Sequence, residues 1–271
     1  MIGIIGAICG DIIGSKHEVF VRKESIPYDF ELIRPESRVT DDTVHTIAVA
    51  DWLMNTDRSS EALTNKLVKW SGEFWTVGYG SMFRKWLSSP PYKPYNSFGN
   101  GSAMRVSPVA WVANNMEELV DLATRSAKVT HNHPEGIKGA VAVATAIFMN
   151  RFGYSKEFIK ETIIQSTGYD LNIKYEDIKY DKFDATCQGT VPESIICWLE
   201  STNYEDCVRK AVCLGCDTDT QAAIAGSICA ANPSTDVPSD IIQKVIDYGC
   251  LKDNRIVDVL NNFNDKYILN F

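Results

Sequence analysis

The stretch Leu214-Gly215-Cys216-Asp217-Thr218-Asp219-Thr220-Gln221, running on into Ala222-Ala223-Ile224-Ala225-Gly226-Ser227, sets the fold class. Its second half is almost all small, uncharged residues of good helical propensity, so it reads as a buried helix. Its first half puts two carboxylates and two hydroxyls at or just before that helix's N-terminus. One Asp or Thr is enough to cap a helix, because it accepts a hydrogen bond from a first-turn N–H and complements the dipole. Four such residues exceed what a cap requires. Taken alone, the cluster leaves capping and metal or substrate binding both open.

A second buried helix is predicted from Gly3 to Gly14, where the chain is apolar all round and Gly6, Gly10 and Gly14 recur every fourth residue as a groove for close packing. Each glycine costs about 1 kcal/mol relative to alanine, so tertiary packing must hold this helix. Asp11 sits inside the apolar run and is assigned a structural hydrogen-bonding role, since a buried carboxylate needs partners. Glu18, just past the run, reads on its own as a solvated loop acid. Residues 19 to 38 carry Pro27, Pro35 and mixed charge without periodicity and read as a long loop.

Arg38-Val39-Thr40-Asp41-Asp42-Thr43-Val44 then repeats the acid–hydroxyl theme and opens a helical pattern from Val44 to Leu53. Two such clusters at two helix N-termini match what a hard divalent cation takes, several oxygens from different elements. A further amphipathic helix is expected over residues 58 to 75. The Gly-, Pro-, Tyr- and Ser-rich stretch from Gly78 to Phe98 ends in Asn96-Ser97-Phe98-Gly99-Asn100-Gly101-Ser102-Ala103-Met104-Arg105, a glycine-rich loop running into a helix. Free backbone N–H groups and a helix N-terminus suit a phosphate or pyrophosphate; a tight turn packed under the helix is the alternative.

A helix from Met116 to Ala127 leads into Val129-Thr130-His131-Asn132-His133-Pro134-Glu135-Gly136 and a small-residue helix from Ala140 to Phe148. Zinc is disfavoured there because no Cys or third His stands nearby; the reading is one substrate-bonding histidine and one that packs or caps. Residues 152 to 190 show little regular pattern and read as a variable surface segment. Helices follow over Pro192 to Glu200 and Tyr204 to Leu214, with one or two more between Pro238 and Ile268. With few strand signals and at least eight helical patterns, the expected fold is all-α, a single compact orthogonal helical bundle forming one domain over residues 1–271.

Composition agrees. A chain of 271 residues with 45% hydrophobic content is soluble and globular, and a net charge of −8 argues against nucleic acid or an anionic membrane as partner. The N-terminal apolar run lacks a basic flank and meets Asp11 too early to span a bilayer, so no export is expected. The eight scattered cysteines then read as reduced, mostly buried thiols in the cytoplasm, and Cys213-x-x-Cys216 is a lone pair without the second half of a zinc site. No coiled-coil seam is visible, and a monomer is favoured.

Taken together, Gly10-Asp11 through Glu18, Thr40-Asp41-Asp42-Thr43, the 99–105 loop, Thr130-His131-Asn132-His133-Pro134 and Gly215-Cys216-Asp217-Thr218-Asp219-Thr220 resemble the ADP-ribosylglycohydrolase family, relatives of the enzyme that reactivates ADP-ribosylated dinitrogenase reductase. The resemblance implies an all-α fold with two Mg2+ or Mn2+ ions at the bottom of an ADP-ribose cleft. It implies that Thr40, Asp41 and Asp42 bind one ion, that Asp219 bridges, and that Asp217, Thr220 and Glu18 bind the other. Glu18, Asp41, Asp42 and Asp219 become the catalytic candidates. Ser97, Phe98, Gly99, Asn100, Gly101, Ser102 and Met104 become the substrate-binding ones, with Phe98 on the adenine and His131 donating to a phosphate. Cys216 stands where such proteins usually carry glycine.

Five carboxylates against two divalent ions give a nearly neutral site, and oxygen-only ligation favours Mg2+ or Mn2+ over zinc. The implied reaction is metal-dependent hydrolysis of the glycosidic bond between ADP-ribose and a modified side chain, on an ADP-ribosylated protein or an ADP-ribose-containing small molecule. The Thr130–Pro134 stretch is more similar to the arginine-directed than to the serine-directed branch. Two alternatives stand beside this: a non-catalytic ADP-ribose-binding module, and a two-metal phosphohydrolase acting on a free nucleotide or pyrophosphate.

Overall fold

The structure, a computed structural model, describes residues 2–18, 25–248 and 250–268. Part of the expected 19–38 loop, residues 19–24, lies outside the described residues. The chain forms α1 (Ile5–Gly14), α2 (Asp41–Asn55), α3 (Ser60–Glu73), α4 (Ser81–Leu87), α5 (Gly101–Met104), α6 (Ser107–Val112) and α7 (Met116–Lys128). It continues with α8 (Pro134–Arg151), α9 (Lys156–Thr167), α10 (Cys187–Leu199), α11 (Tyr204–Cys213), α12 (Thr218–Cys229), α13 (Ser239–Asp247) and α14 (Asn254–Tyr267). No strand occurs among the described residues, so the expected all-α class holds; one isolated antiparallel bridge pairs Gly99 with Thr186. No helix is long and apolar enough to cross a membrane among the described residues.

Every residue of α1 and of α12 is buried, and the two helices make the most extensive helix–helix contact described. They run antiparallel, with the glycines of α1 as the seam. A Cβ at Gly6 would strike Ala230 and the Gly226 carbonyl, one at Gly10 the Ala222 backbone, and one at Gly14 the backbone of Thr218 and Asp219. The approach is fastened at both ends: Tyr204 Oη donates to Gly6 O at 2.7 Å, and Thr218 Oγ1 to Gly14 O at 2.9 Å. The N-terminus of α12 is thereby set against the C-terminus of α1, and α2 packs on both.

Local signals explain most helix starts. Ser59, Asn115 and Asn203 each accept a hydrogen bond from the N–H three residues on and so cap α3, α7 and α11. Three expectations need correction. The small-residue helix begins at Pro134, not Ala140, because His133 Nδ1 accepts from Glu135 N at 3.1 Å and Pro134 fits the first helical turn. The helix expected from Pro192 starts at Cys187, capped by Thr186, with Pro192 inside it. Residues 152–190 are not an unpatterned surface segment: Ser155 caps α9, left-handed Gly168 ends it, and Ile159 and Ile163 bury one narrow stripe. The eight cysteines are all free and, except for half-buried Cys250, buried.

The glycine seam predicts opposite outcomes for one kind of substitution. Gly10→Ala forces α1 off the Ala222 backbone and lowers unfolding free energy by about 2–3 kcal/mol. Gly72→Ala, near the end of α3 with nothing around the added methyl, raises it by about 0.5 kcal/mol. Chemical denaturation of the two variants checks both signs.

Candidate active site

The floor of the site starts at Asp11. Its carboxylate, fully buried, accepts from Thr40 N at 3.0 Å, Thr40 Oγ1 at 2.7 Å and Thr43 N at 3.2 Å, and also from Thr43 Oγ1. Four donors satisfy it and fasten the start of α2 to α1, as the structural role assigned to it requires. Thr40 caps α2 by accepting from Asp42 N at 3.2 Å. Thr220 Oγ1 donates to Asp42 Oδ2 at 3.3 Å, which joins α12 to α2.

Carboxylate oxygens of Asp11, Asp42 and Asp219 lie within 4.8 Å of one another, and so do those of Glu18, Asp217 and Asp219. Asp219 belongs to both groups. Asp41 lines the same cleft from the first turn of α2. Asp11 was thus placed by the sequence as a hydrogen-bonding residue only, yet it also stands in one of the two groupings.

These acids share a small volume and their proton affinities rise accordingly, with Arg38 pulling the other way on Glu18. Burial, then the neighbouring Asp219 and Asp11, pushes the Asp41 carboxyl up to about 8. Burial followed by Asp219 raises Asp42 well above the usual carboxylate range, and burial followed by Asp217 does the same to Asp219. Burial also raises Asp217, against the pull of the Asn100 amide. Glu18, exposed at the mouth, is pushed up to about 7 by partial desolvation and Asp219. Asp42 Oδ1 is buried with no hydrogen-bond partner among the described residues.

Above the floor lies a cavity of about 320 Å3. Its wall is the glycine loop, held in shape from afar: Asn100 N donates to Ala185 O and Cys187 N to Phe98 O, each at 2.9 Å. Asn100 Nδ2 ties the loop to the floor, donating to Asp217 Oδ2 at 2.7 Å and to Thr190 Oγ1 at 3.1 Å. Ser97, Gly99, Asn100, Gly101, Met104 and His131 all line the cavity. Two candidates do not. Ser102 is buried behind the loop and gives its hydroxyl to Gly136 O at 2.6 Å, and Phe98 stands 46% exposed, edge-on to His133 at 5.3 Å. Of the two histidines, His133 is the capping one.

The cavity also takes in residues to which the sequence gave no role: His45, Tyr95, Arg105, Phe183 and Ala185. His45 is an interior residue of α2, with Nε2 3.1 Å from Ser71 Oγ and Nδ1 unpartnered, and burial keeps it neutral. Phe183 and Ala185 come from the segment read as variable surface. Cys216 explains how that segment is held: its Sγ accepts from Asp184 N at 3.0 Å and donates to Asp184 O at 3.3 Å. Gly215 and Cys216 both take left-handed backbone, φ 76° and 71°, which is why a glycine would be at ease at 216.

Fold and cleft together define an all-α protein with a carboxylate floor beneath a glycine-rich loop. The chain belongs to the ADP-ribosylglycohydrolase family, whose model matches residues 2–267. It is 30% identical over 213 residues to an uncharacterized protein of Archaeoglobus fulgidus, covering 70% of each chain. It is 22% identical to human ADP-ribosylhydrolase ARH3, covering 84% of this chain and 83% of that one. The ADP-ribosyl-[dinitrogen reductase] glycohydrolase of Rhodospirillum rubrum is also 22% identical, covering 89% and 88%. A solved ADP-ribosylglycohydrolase-related protein complex shares the fold, with a TM-score of 0.75 over 96% of this chain and 95% of that one at 20% identity.

The raised carboxyls make stability depend on pH and on cations. An acid whose folded pKa exceeds its unfolded value stabilises the protein below the unfolded value, and that contribution is lost as pH rises through the folded one. Here the window runs from about 4 to about 8, set by Glu18 and Asp41. In chelator, the Tm should fall between about pH 5 and pH 8. Added Mg2+ or Mn2+ should restore it, most strongly at the upper end. Asp42→Asn takes one acid out of the crowded floor, raising cation-free stability at about pH 8 by about 1–3 kcal/mol and weakening the cation effect.

Proposed function

We propose that the protein hydrolyses the glycosidic bond between ADP-ribose and a modified side chain, releasing ADP-ribose, with two Mg2+ or Mn2+ ions held by its carboxylate floor. One observation carries this reading: two acidic groupings meet in Asp219 at the bottom of a cleft walled by a glycine loop. The donors fit hard cations. All are oxygens, they are crowded together, and Asp42 Oδ1 is an acceptor left open among the described residues. Asp11, Asp42 and Asp219 would hold one ion and Glu18, Asp217 and Asp219 the other, with Thr40, Asp41 and Thr220 supplying further oxygens. When bound, such ions offset the cluster's charge and orient the sugar hydroxyls.

The chain's own residues do the rest. Gly99, Asn100 and Gly101 line the place of the pyrophosphate and distal sugar, with Gly101 N as the backbone donor because the Gly99 and Asn100 N–H groups already bond Ser97 Oγ and Ala185 O; Ser97 and Met104 stand beside them, His131 donates to a phosphate and Phe98 stacks at the rim on the adenine. Asn100 orients Asp217 while it does so. Glu18, at the mouth of the cleft beside Asp217 and Asp219, is the proton acceptor from water. The water oxygen bonds to the anomeric carbon of the proximal ribose as the bond to the side-chain nitrogen or oxygen breaks, and the leaving group takes up a proton. Both named relatives carry ADP-ribosyl in their names, which supports ADP-ribose as the group recognised. The 130–134 stretch supports an arginine-type linkage.

The test is release of ADP-ribose from arginine-linked and serine-linked mono-ADP-ribosylated substrates with Mg2+, with Mn2+ and with chelator. Chelator-sensitive release from the arginine-linked substrate is expected, and Asp219→Asn should slow it about 100-fold or more with an unchanged circular dichroism spectrum. AMP or phosphate as product would replace the reading with a phosphohydrolase, and ADP-ribose binding without turnover would replace it with a binding module.

A further inference from the structure

Arg105 is a fully buried guanidinium in the wall of the cleft. Its Nη2 donates to Ser126 O at 2.8 Å and to Thr130 Oγ1 at 2.9 Å, while Nε and Nη1 have no hydrogen-bond partner among the described residues. Thr130 is fully buried too, and its Oγ1 lies 2.7 Å from His131 Nδ1. The direction of each bond follows from proton counting. A guanidinium only donates, so it takes a lone pair of Oγ1; a hydroxyl has one proton to give, and the structure shows one acceptor for it among the described residues, Nδ1 of His131. Were Nδ1 protonated instead, the Thr130 proton would be left buried without an acceptor, at a cost of about 1–3 kcal/mol.

The far side of the ring meets the glycine loop. A Cβ added at Gly101 would lie 3.1 Å from His131 Nε2, and one at Gly99 3.7 Å from it. We infer that Arg105, acting through Thr130, fixes His131 in the tautomer with its proton on Nε2, so that the ring is a standing donor into the glycine loop for an anionic oxygen. Arg105 and Thr130 are positioning residues in this scheme, and His131 is the group that touches the ligand. Burial and the nearby Arg105 charge both hold the ring neutral. His131 therefore serves as a neutral donor and not as a charge that comes and goes. The identity of the oxygen, a phosphate of ADP-ribose, rests on the function proposed above; the tautomer does not.

The experiment uses the full chain with ring-15N histidine, the His131 signals being identified by their loss in H131Q. Wild-type protein should show Nδ1 unprotonated and Nε2 protonated without any ligand, and T130S should match it. T130V keeps the shape and loses the hydroxyl: signals of the other tautomer should appear, ADP-ribose should bind about tenfold more weakly, and adenosine, which lacks phosphate, should bind as before. A wild-type ring protonated on Nδ1 overturns the inference whether or not any variant folds. So does T130V with an unchanged ring spectrum, or T130S losing ADP-ribose affinity as T130V does. A wild-type ring protonated on Nε2 in protein that binds no ADP-ribose upholds the relay and overturns the ADP-ribose reading.

Discussion

How closely α1 and α12 approach governs the floor of this protein's cleft. Three glycines on α1 let its backbone lie directly against the backbone of α12, and that contact alone brings the end of one helix to the start of the other. Asp11 leaves α1 one turn before its end and Asp217 and Asp219 sit at the start of α12, so the two helices deliver their acids to one place. Asp11 in turn seizes the start of α2 through Thr40 and Thr43, adding Asp41 and Asp42. The acidic cluster is a product of backbone proximity, and each side chain at the seam larger than hydrogen would push the acids apart.

The cost of that arrangement is electrostatic. Buried carboxylates crowded against one another hold on to protons well above the usual range, while a guanidinium buried elsewhere in the same cleft has two nitrogens without a partner among the described residues. The fold keeps the opposite charges on separate walls and does not let them neutralise one another. On the function proposed above, that separation would suit a ligand set that is itself split, cations at one end and an anion at the other, and binding would return stability to the free protein.

Much of this was legible in the residues, and the parts that were not have a common cause. All-small α12 and the glycine-spaced α1 announce themselves, because a helix without a polar face has to be buried. The helices from Met116 and Tyr204 were legible from their apolar periodicity, and the caps at Asn115 and Asn203 that start them are local chemistry. His45 was hidden because it is one polar residue inside a helix judged by its apolar ones, and Arg105 because a charged side chain is expected at the surface. The 152–190 segment misled most. Ser155 and Gly168 mark both ends of α9, but the stretch that follows has no periodicity to find: it works through backbone hydrogen bonds, Ala185 O and Cys187 N pairing with the glycine loop. Side-chain patterns carry no trace of such a pairing.

The separation of partners along the chain also bears on how the molecule comes to be built. Thr218 and Gly14, joined by a hydrogen bond, are 204 residues apart, and the glycine loop meets its brace at Cys187 across 88. A ribosome releases α1, α2 and the glycine loop long before α12 exists. During that interval the most apolar helix of the protein has no mate, and half of the acidic cluster has no second half. Contacts of such long range form late and slowly. The nascent chain therefore carries an apolar, glycine-rich helix without its packing partner. Its cleft cannot be tested against any ligand until about four-fifths of these 271 residues have been made.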